Sequence, residues 1–211
     1  HFEAEKASKI VIGTAVVLGI ALALFLFIFL PTLIVGFIKP LTQNLVVRNL
    51  SEGVVKIIIL LAYMRLCCCV SDVKRLFSYH GAEHKTIFCY EHGKPLTVEN
   101  VRTESRFHPR CGTSFLLVVV VVSILVNSVV TLTNSFSRMG AHLLLLPVVV
   151  GISYEINLWC GRHDNWLSAA LSAPGKWLQH MTTNEPDDGM IECAIRAMEL
   201  VIPEEKGSDA W

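Results

Sequence analysis

The chain has 211 residues and no net formal charge, with 53% hydrophobic and only 17% charged residues. A soluble domain is about 45–50% apolar and about 25% charged, so the balance leans toward a membrane protein, and neutrality removes the reason to expect a nucleic-acid partner. The seven cysteines form no CxxC pair, and three are consecutive at Cys67, Cys68 and Cys69, which argues against a disulfide-stapled secreted domain and for free thiols in a reducing compartment.

In chain order, the first predicted element is residues 10–38, an almost unbroken apolar run that is long enough to cross a bilayer and too long for a signal-peptide core. Pro31 is expected to kink it. Residues 54–70 predict a short second span whose Lys56 and Arg65 snorkel to the interface, with an interfacial or buried helix as the alternative. Residues 72–91 read as one amphipathic helix with Val73, Leu76, Phe77, His80, His84, Ile87, Phe88 and Glu91 on a broad face. Residues 114–133 form a third span in which Ser123, Asn127 and Ser128 are expected to face other helices. Residues 140–159 form a fourth, joined to the third by a short link into a helical hairpin. In the tail, Trp166, Leu167, Leu171, Trp177 and Leu178 predict a segment on the membrane surface. Ile191, Ala194, Ile195, Met198 and Val201 predict a last helix, capped by Thr183 or Asn184 with Pro186 in its first turn.

These elements predict an all-α, polytopic integral membrane protein with about four transmembrane helices. Its regions are an N-terminal pair of spans (1–70), a helical cytosolic loop (71–113), a transmembrane hairpin (114–160) and a cytosolic or interfacial tail (161–211). Most of the lysines and arginines fall in 71–113, in the tail and at the N-terminus, so the positive-inside rule puts those parts in the cytosol.

The chemistry-bearing pattern is His80-Gly81-Ala82-Glu83-His84, the inverted H-x-x-E-H order of zinc hydrolases. Histidines four apart share a helix face and can reach one ion, while Glu83 lies where it could activate water. The plainer alternative is a pair of histidines hydrogen-bonded in a core. Gly81 between them could permit close approach of another helix. A catalytic zinc takes a third protein ligand, and in the inverted-motif hydrolases this is a downstream glutamate, a role that suits Glu155 at the cytosolic end of the fourth span. His108-Pro109-Arg110-Cys111-Gly112 offers further donors: His108 as an alternative ligand, Cys111 as a soft ligand or a nucleophile, and Arg110 as a clamp for an anionic group such as a lipid head group. A basic anchor where the third span begins is the bland reading of that stretch.

Five motifs in order resemble the YqhQ family of bacterial membrane proteins: Tyr79-His80-Gly81-Ala82-Glu83-His84-Lys85-Thr86, Leu96-Thr97-Val98-Glu99-Asn100-Val101, His108-Pro109-Arg110-Cys111-Gly112-Thr113-Ser114-Phe115, Gly151-Ile152-Ser153-Tyr154-Glu155 and Glu185-Pro186-Asp187-Asp188. The resemblance covers about residues 49–203. It implies a multi-pass protein of the bacterial cytoplasmic membrane, in a family of unknown function whose members are described as predicted metal-dependent enzymes. Family members carry a glycine-rich segment ahead of the first span, which this sequence does not include.

Two functions are expected from these features. The first is a membrane-embedded hydrolase acting on a lipid or membrane-associated substrate. Its divalent metal, zinc by ligand type, would sit on His80 and His84 with Glu155 or His108, with Glu83 as general base, Arg110 as anion clamp and Cys111 as a further reactive group. The second is a non-enzymatic accessory factor that docks on a membrane-protein partner or the translocation machinery, with the same residues forming a structural metal or polar site.

Overall fold

The computed structural model describes residues 2–38, 44–130, 132, 134–163 and 165–203. Among them every regular element is helical. The helices are α1 (Phe2–Leu24), a π-helical turn (Phe25–Phe29), α2 (Leu30–Ile38), α3 (Leu45–Cys67), α4 (Ser71–Glu91), α5 (Val98–Thr103), α6 (Gly112–Ser128), α7 (Ser135–Arg162), α8 (Trp166–Thr182) and α9 (Asp188–Glu199). Lys39, Thr133 at the end of the third expected span, and tail residues 204–211 lie outside the described residues.

Two stretches are long and apolar enough to cross a membrane, Lys9–Phe37 and Phe136–Arg162. The count is three if α3 and α4, separated by a break after Cys67, form one broken span. α3 carries Arg48, Glu52, Lys56 and Arg65, which lower its hydropathy. α6 has 17 residues, and a helix of that length reaches only about 25 Å against a hydrocarbon core of about 30 Å. Pro31 produces a π turn just ahead of it: proline has no N–H to give and its ring crowds the carbonyl four residues back, which the wider turn relieves.

The chain divides into two compact units. The first comprises residues 1–61 and 120–149. Its apolar side chains largely face outward, with Val11, Val17 and Leu18 more than 60% exposed, while Thr32, Asn49, Glu52, Lys56, Arg138 and His142 are buried. This inverts the pattern of a water-soluble core and is what lipid as solvent favours. Lys56 therefore does not snorkel as expected; Glu52, one turn earlier on α3, holds its ammonium at 3.3 Å. Gly53 lets α6 approach, since a Cβ there would lie 2.5 Å from the Ile124 side chain. Of the three polar residues expected to face other helices, Asn127 is buried, whereas Ser123 and Ser128 donate to carbonyls of their own helix.

The second unit comprises residues 62–119 and 150–211. α4, α5 and α9 enclose Ala82, Cys89, Val101, Ile191, Ala194 and Ile195, with Leu96, Val98 and Met190 packed on them. Thr97 caps α5, and Asn165 forms a capping box with Ser168 at the start of α8. The cap of α9 is Asp187, whose carboxylate accepts from the Met190 N–H, rather than Thr183 or Asn184. Thr183 is extended, and both residues are committed elsewhere: the Thr183 hydroxyl donates to the Gln179 carbonyl and the Asn184 N–H to the Phe77 carbonyl. Lys85 ties α4 to the segment after α5, donating to the carbonyls of Arg102 and Glu104 and pairing with Glu185 at 2.9 Å.

Candidate functional site

The expected amphipathic helix is α4, and its inward face places His80 and His84 one turn apart with ring centroids 4.3 Å apart. Each imidazole is oriented by a backbone carbonyl. His80 Nδ1 lies 2.8 Å from the Thr182 oxygen, and His84 Nδ1 lies 2.5 Å from the Arg106 oxygen. A carbonyl only accepts, so both Nδ1 atoms carry protons, and in the neutral rings Nε2 is the nitrogen with the lone pair. This is the anchoring that metal-binding histidines receive from their surroundings. Gly81 makes it possible, since it lets the Asn184 backbone lie against α4 where a Cβ would collide with the Asn184 carbonyl oxygen.

Cys111, immediately before α6, supplies the third donor. Its sulfur lies 3.3 Å from His80 Nε2 and 3.0 Å from the Thr113 hydroxyl. Ligand atoms of His80, His84 and Cys111 all fall within 4.8 Å of one another. Burial disfavours the Cys111 thiolate, but hydrogen bonds from His80, His84 and Thr113 and the charge of His84 prevail and hold its pKa down to about 5. The same contact with Cys111 raises the His80 pKa, against the opposing effect of burial. The close contact of His80 with Cys111 therefore favours the thiolate.

A cavity of about 310 Å³ opens beside these three residues. Glu83 is exposed and lines it, as do Ile87, Glu91, His108 and Arg110. Glu91 Oε1 accepts from the Arg110 guanidinium at 2.6 Å, and Oε2 lies 3.1 Å from His108 Nε2. His108 Nδ1 accepts the Arg110 N–H at 3.2 Å. The proton of His108 thus sits on Nε2, in keeping with a pKa that burial lowers. Gln179 clamps this loop from α8, accepting the His108 N–H and donating to the His108 carbonyl and to the Ser114 hydroxyl. Gly175, also on α8, permits that approach: a Cβ there would lie 2.5 Å from the Ser114 Cβ.

Six of the seven residues singled out in the sequence, His80, Glu83, His84, His108, Arg110 and Cys111, line one cavity. Two expected ligands, His108 and Glu155, are not among the three clustered donors. His108 lines the cavity but has both ring nitrogens engaged, by Glu91 and by the Arg110 N–H, so it orders the rim. Glu155 is exposed on α7 and does not line the cavity. Cys111 joins the two histidines because the chain turns into α6 directly against His80. Thr182, Arg106 and Gln179, which act through backbone carbonyls or a side-chain amide, carry no sequence signal. Glu91 carried one, being two turns after His84 on the same face of α4.

The sequence matches the model of the family "Protein of unknown function (DUF1385)" over residues 1–204. It is also 37% identical over 182 residues to the "Uncharacterized protein YqhQ" of Bacillus subtilis (strain 168), a match that covers 86% of this chain and 57% of that protein. The chain therefore spans little more than half the length of that curated relative. No solved structure matches it. The chain belongs to the DUF1385 family, which includes YqhQ.

Proposed function

We propose that this protein is a membrane-anchored, metal-dependent hydrolase whose ion is held by His80, His84 and Cys111. The observation that carries the reading is the set of three donors within 4.8 Å of one another beside a cavity of about 310 Å³. Three protein ligands and an open side describe a catalytic zinc site, whereas a structural one is closed by four. The donor types fit as well, since two neutral imidazoles and a thiolate suit zinc. When bound, such an ion acts as a Lewis acid toward water and toward a carbonyl or phosphoryl oxygen.

The residues of the chain supply the rest. Glu83, at the cavity wall, accepts the proton of the attacking water and returns it to the leaving group. Arg110 takes the anionic part of the substrate by exchanging its partner Glu91 for it. Glu91 then remains on His108, which keeps the loop before α6 in place. A lipid or a membrane-associated peptide is the substrate class that suits a cavity in a chain with apolar spans. In the same reading α3 and α6 complete four crossings of the bacterial cytoplasmic membrane, with residues 71–113 and 161–211 cytosolic, as the basic residues direct.

Metal analysis of protein purified without chelators tests this. About one zinc per chain is expected, lost in His84→Ala and Cys111→Ser, while Glu83→Gln keeps the metal and loses turnover of lipid or peptide esters. Unmutated protein that carries no metal and takes up none on zinc titration would refute the reading.

A further inference from the structure

Helix α8 is built inside out. Trp166, Ala170, Ala173 and Trp177 recur at helical spacing, so they form one stripe along it. All four are exposed, the two tryptophans by 80% and 56%. The opposite stripe is Ser168, Gly175, Gln179 and Thr182, and it is buried. Leu178, expected from the sequence on the membrane side, is buried as well. A helix bathed in water turns its apolar residues inward and its polar ones out, so α8 is arranged for a less polar surrounding on its outer side.

The candidate site accounts for the inner stripe. Gln179 clamps the His108 loop, the Thr182 carbonyl orients His80, and Gly175 admits Ser114. None of this calls for tryptophan on the other side. Two observations say what covers the outer stripe. First, α8 begins at Trp166, just after α7 ends at Arg162, and α7 carries the apolar stretch Phe136–Arg162. If α7 is a membrane span, α8 starts where that span leaves the bilayer, the level at which tryptophan is enriched. Second, residues 165–184 contain no aspartate or glutamate, while Arg162 and Lys176 supply positive charge. Apolar residues alone would suit a second copy of the chain, whereas the combination with unopposed positive charge suits an anionic lipid surface.

We infer that α8 lies in the headgroup layer of the bilayer on its Trp166–Trp177 stripe and binds anionic phospholipid there. The inference rests on the proposed reading of α7 as a membrane span and is independent of the metal. The loop from His108 to Ser114 packs on the opposite side of the helix, so it stands about 10 Å, one helix diameter, above the plane of the tryptophans. That height brings the loop, and Cys111 with it, to the outer edge of the headgroup layer, within reach of lipid headgroups rather than acyl chains.

The test is tryptophan fluorescence of the full chain reconstituted in vesicles of phosphatidylcholine and phosphatidylglycerol, with one lipid or the other brominated on its acyl chains. Variants that keep Trp159, Trp166 or Trp177 alone, with the other tryptophans changed to phenylalanine, separate the positions. Bromines near the headgroup end of the chain should quench Trp166 and Trp177 more than bromines near the methyl end. Brominated phosphatidylglycerol should quench them more than brominated phosphatidylcholine, and Lys176→Gln should abolish that preference. If those variants do not fold, Trp166→Phe with Trp177→Phe in the otherwise unmutated chain should remove most of the lipid-quenched signal. Trp166 and Trp177 open to aqueous iodide and untouched by the lipids would overturn the inference. Protection from iodide and bromine alike, the mark of a second copy on the stripe, would overturn it too. Trp159, in the last turns of α7, tells the two readings apart: quenching kept there while lost on α8 faults this inference alone, and quenching lost at all three faults the span as well. His84→Ala should be quenched like the unmutated protein, whatever its metal content.

Discussion

Gly81→Ala isolates the contact on which the His80 and His84 geometry depends. Within a helix the change by itself favours folding by about 1 kcal/mol, because alanine is the better helix former. Here the added Cβ would fall far inside the 3.0 Å that real Cβ atoms keep from other heavy atoms, and the obstacle is the Asn184 backbone carbonyl rather than a flexible side chain. Residues 183–187 would have to shift by about 1 Å to restore ordinary contact. Overpacking of this kind costs about 1–3 kcal/mol. The shift also strains the hydrogen bond from the Asn184 N–H to the Phe77 carbonyl, now 2.9 Å, worth about 1 kcal/mol. The net expectation is a loss of about 1–3 kcal/mol, and each kcal/mol lowers Tm by roughly 2–4 °C in a chain of this size. Thermal unfolding in detergent, followed by circular dichroism, measures it. Gly140→Ala is the control, since a Cβ at that position of α7 meets nothing within 4 Å; it should leave Tm unchanged or slightly higher. Gly81→Ala as stable as the unmutated protein would show that α4 and the 183–187 segment are not held as closely as described.

Two further outcomes follow from the second unit. In protein kept in a chelator, alkylation of Cys111 by iodoacetamide should titrate with a midpoint near pH 5, and His80→Ala should move the midpoint up toward the ordinary thiol value near 8.5. Because the folded pKa lies below the unfolded one, the stability this thiolate contributes is complete above about pH 8.5 and is lost as pH falls toward 5. Removing the capping box of α8 by Asn165→Ala leaves the Leu167 and Ser168 N–H groups without their acceptor. It should cost about 1 kcal/mol, read as a lower denaturation midpoint with the Cys111 alkylation midpoint unchanged.

The H-x-x-E-H pattern was enough to determine that His80, Glu83 and His84 share one face of a helix, because helical periodicity is a property of the local chain. It was likewise enough for two of the four apolar runs, 10–38 and 140–159, for α4 nearly to the residue, and for the existence of α9. The third donor was beyond its reach. Glu155 and Cys111 are equally plausible as residue types, and the choice depends on where the chain turns into α6, which is set by the Gln179 clamp and by the contact of Gly175 with Ser114. The carbonyls of Thr182 and Arg106 that select the imidazole tautomers are backbone atoms, present at every residue and therefore silent in a sequence. The polar cluster of the first unit was hidden in another way. Lys56 meets Glu52 by helical spacing alone, but only the packing of α7 on α3 in that unit brings Arg138 to the same carboxylate. Periodicity determines which residues share a face, while the ligands and charges that meet across helices are decided by contacts between segments far apart in the chain.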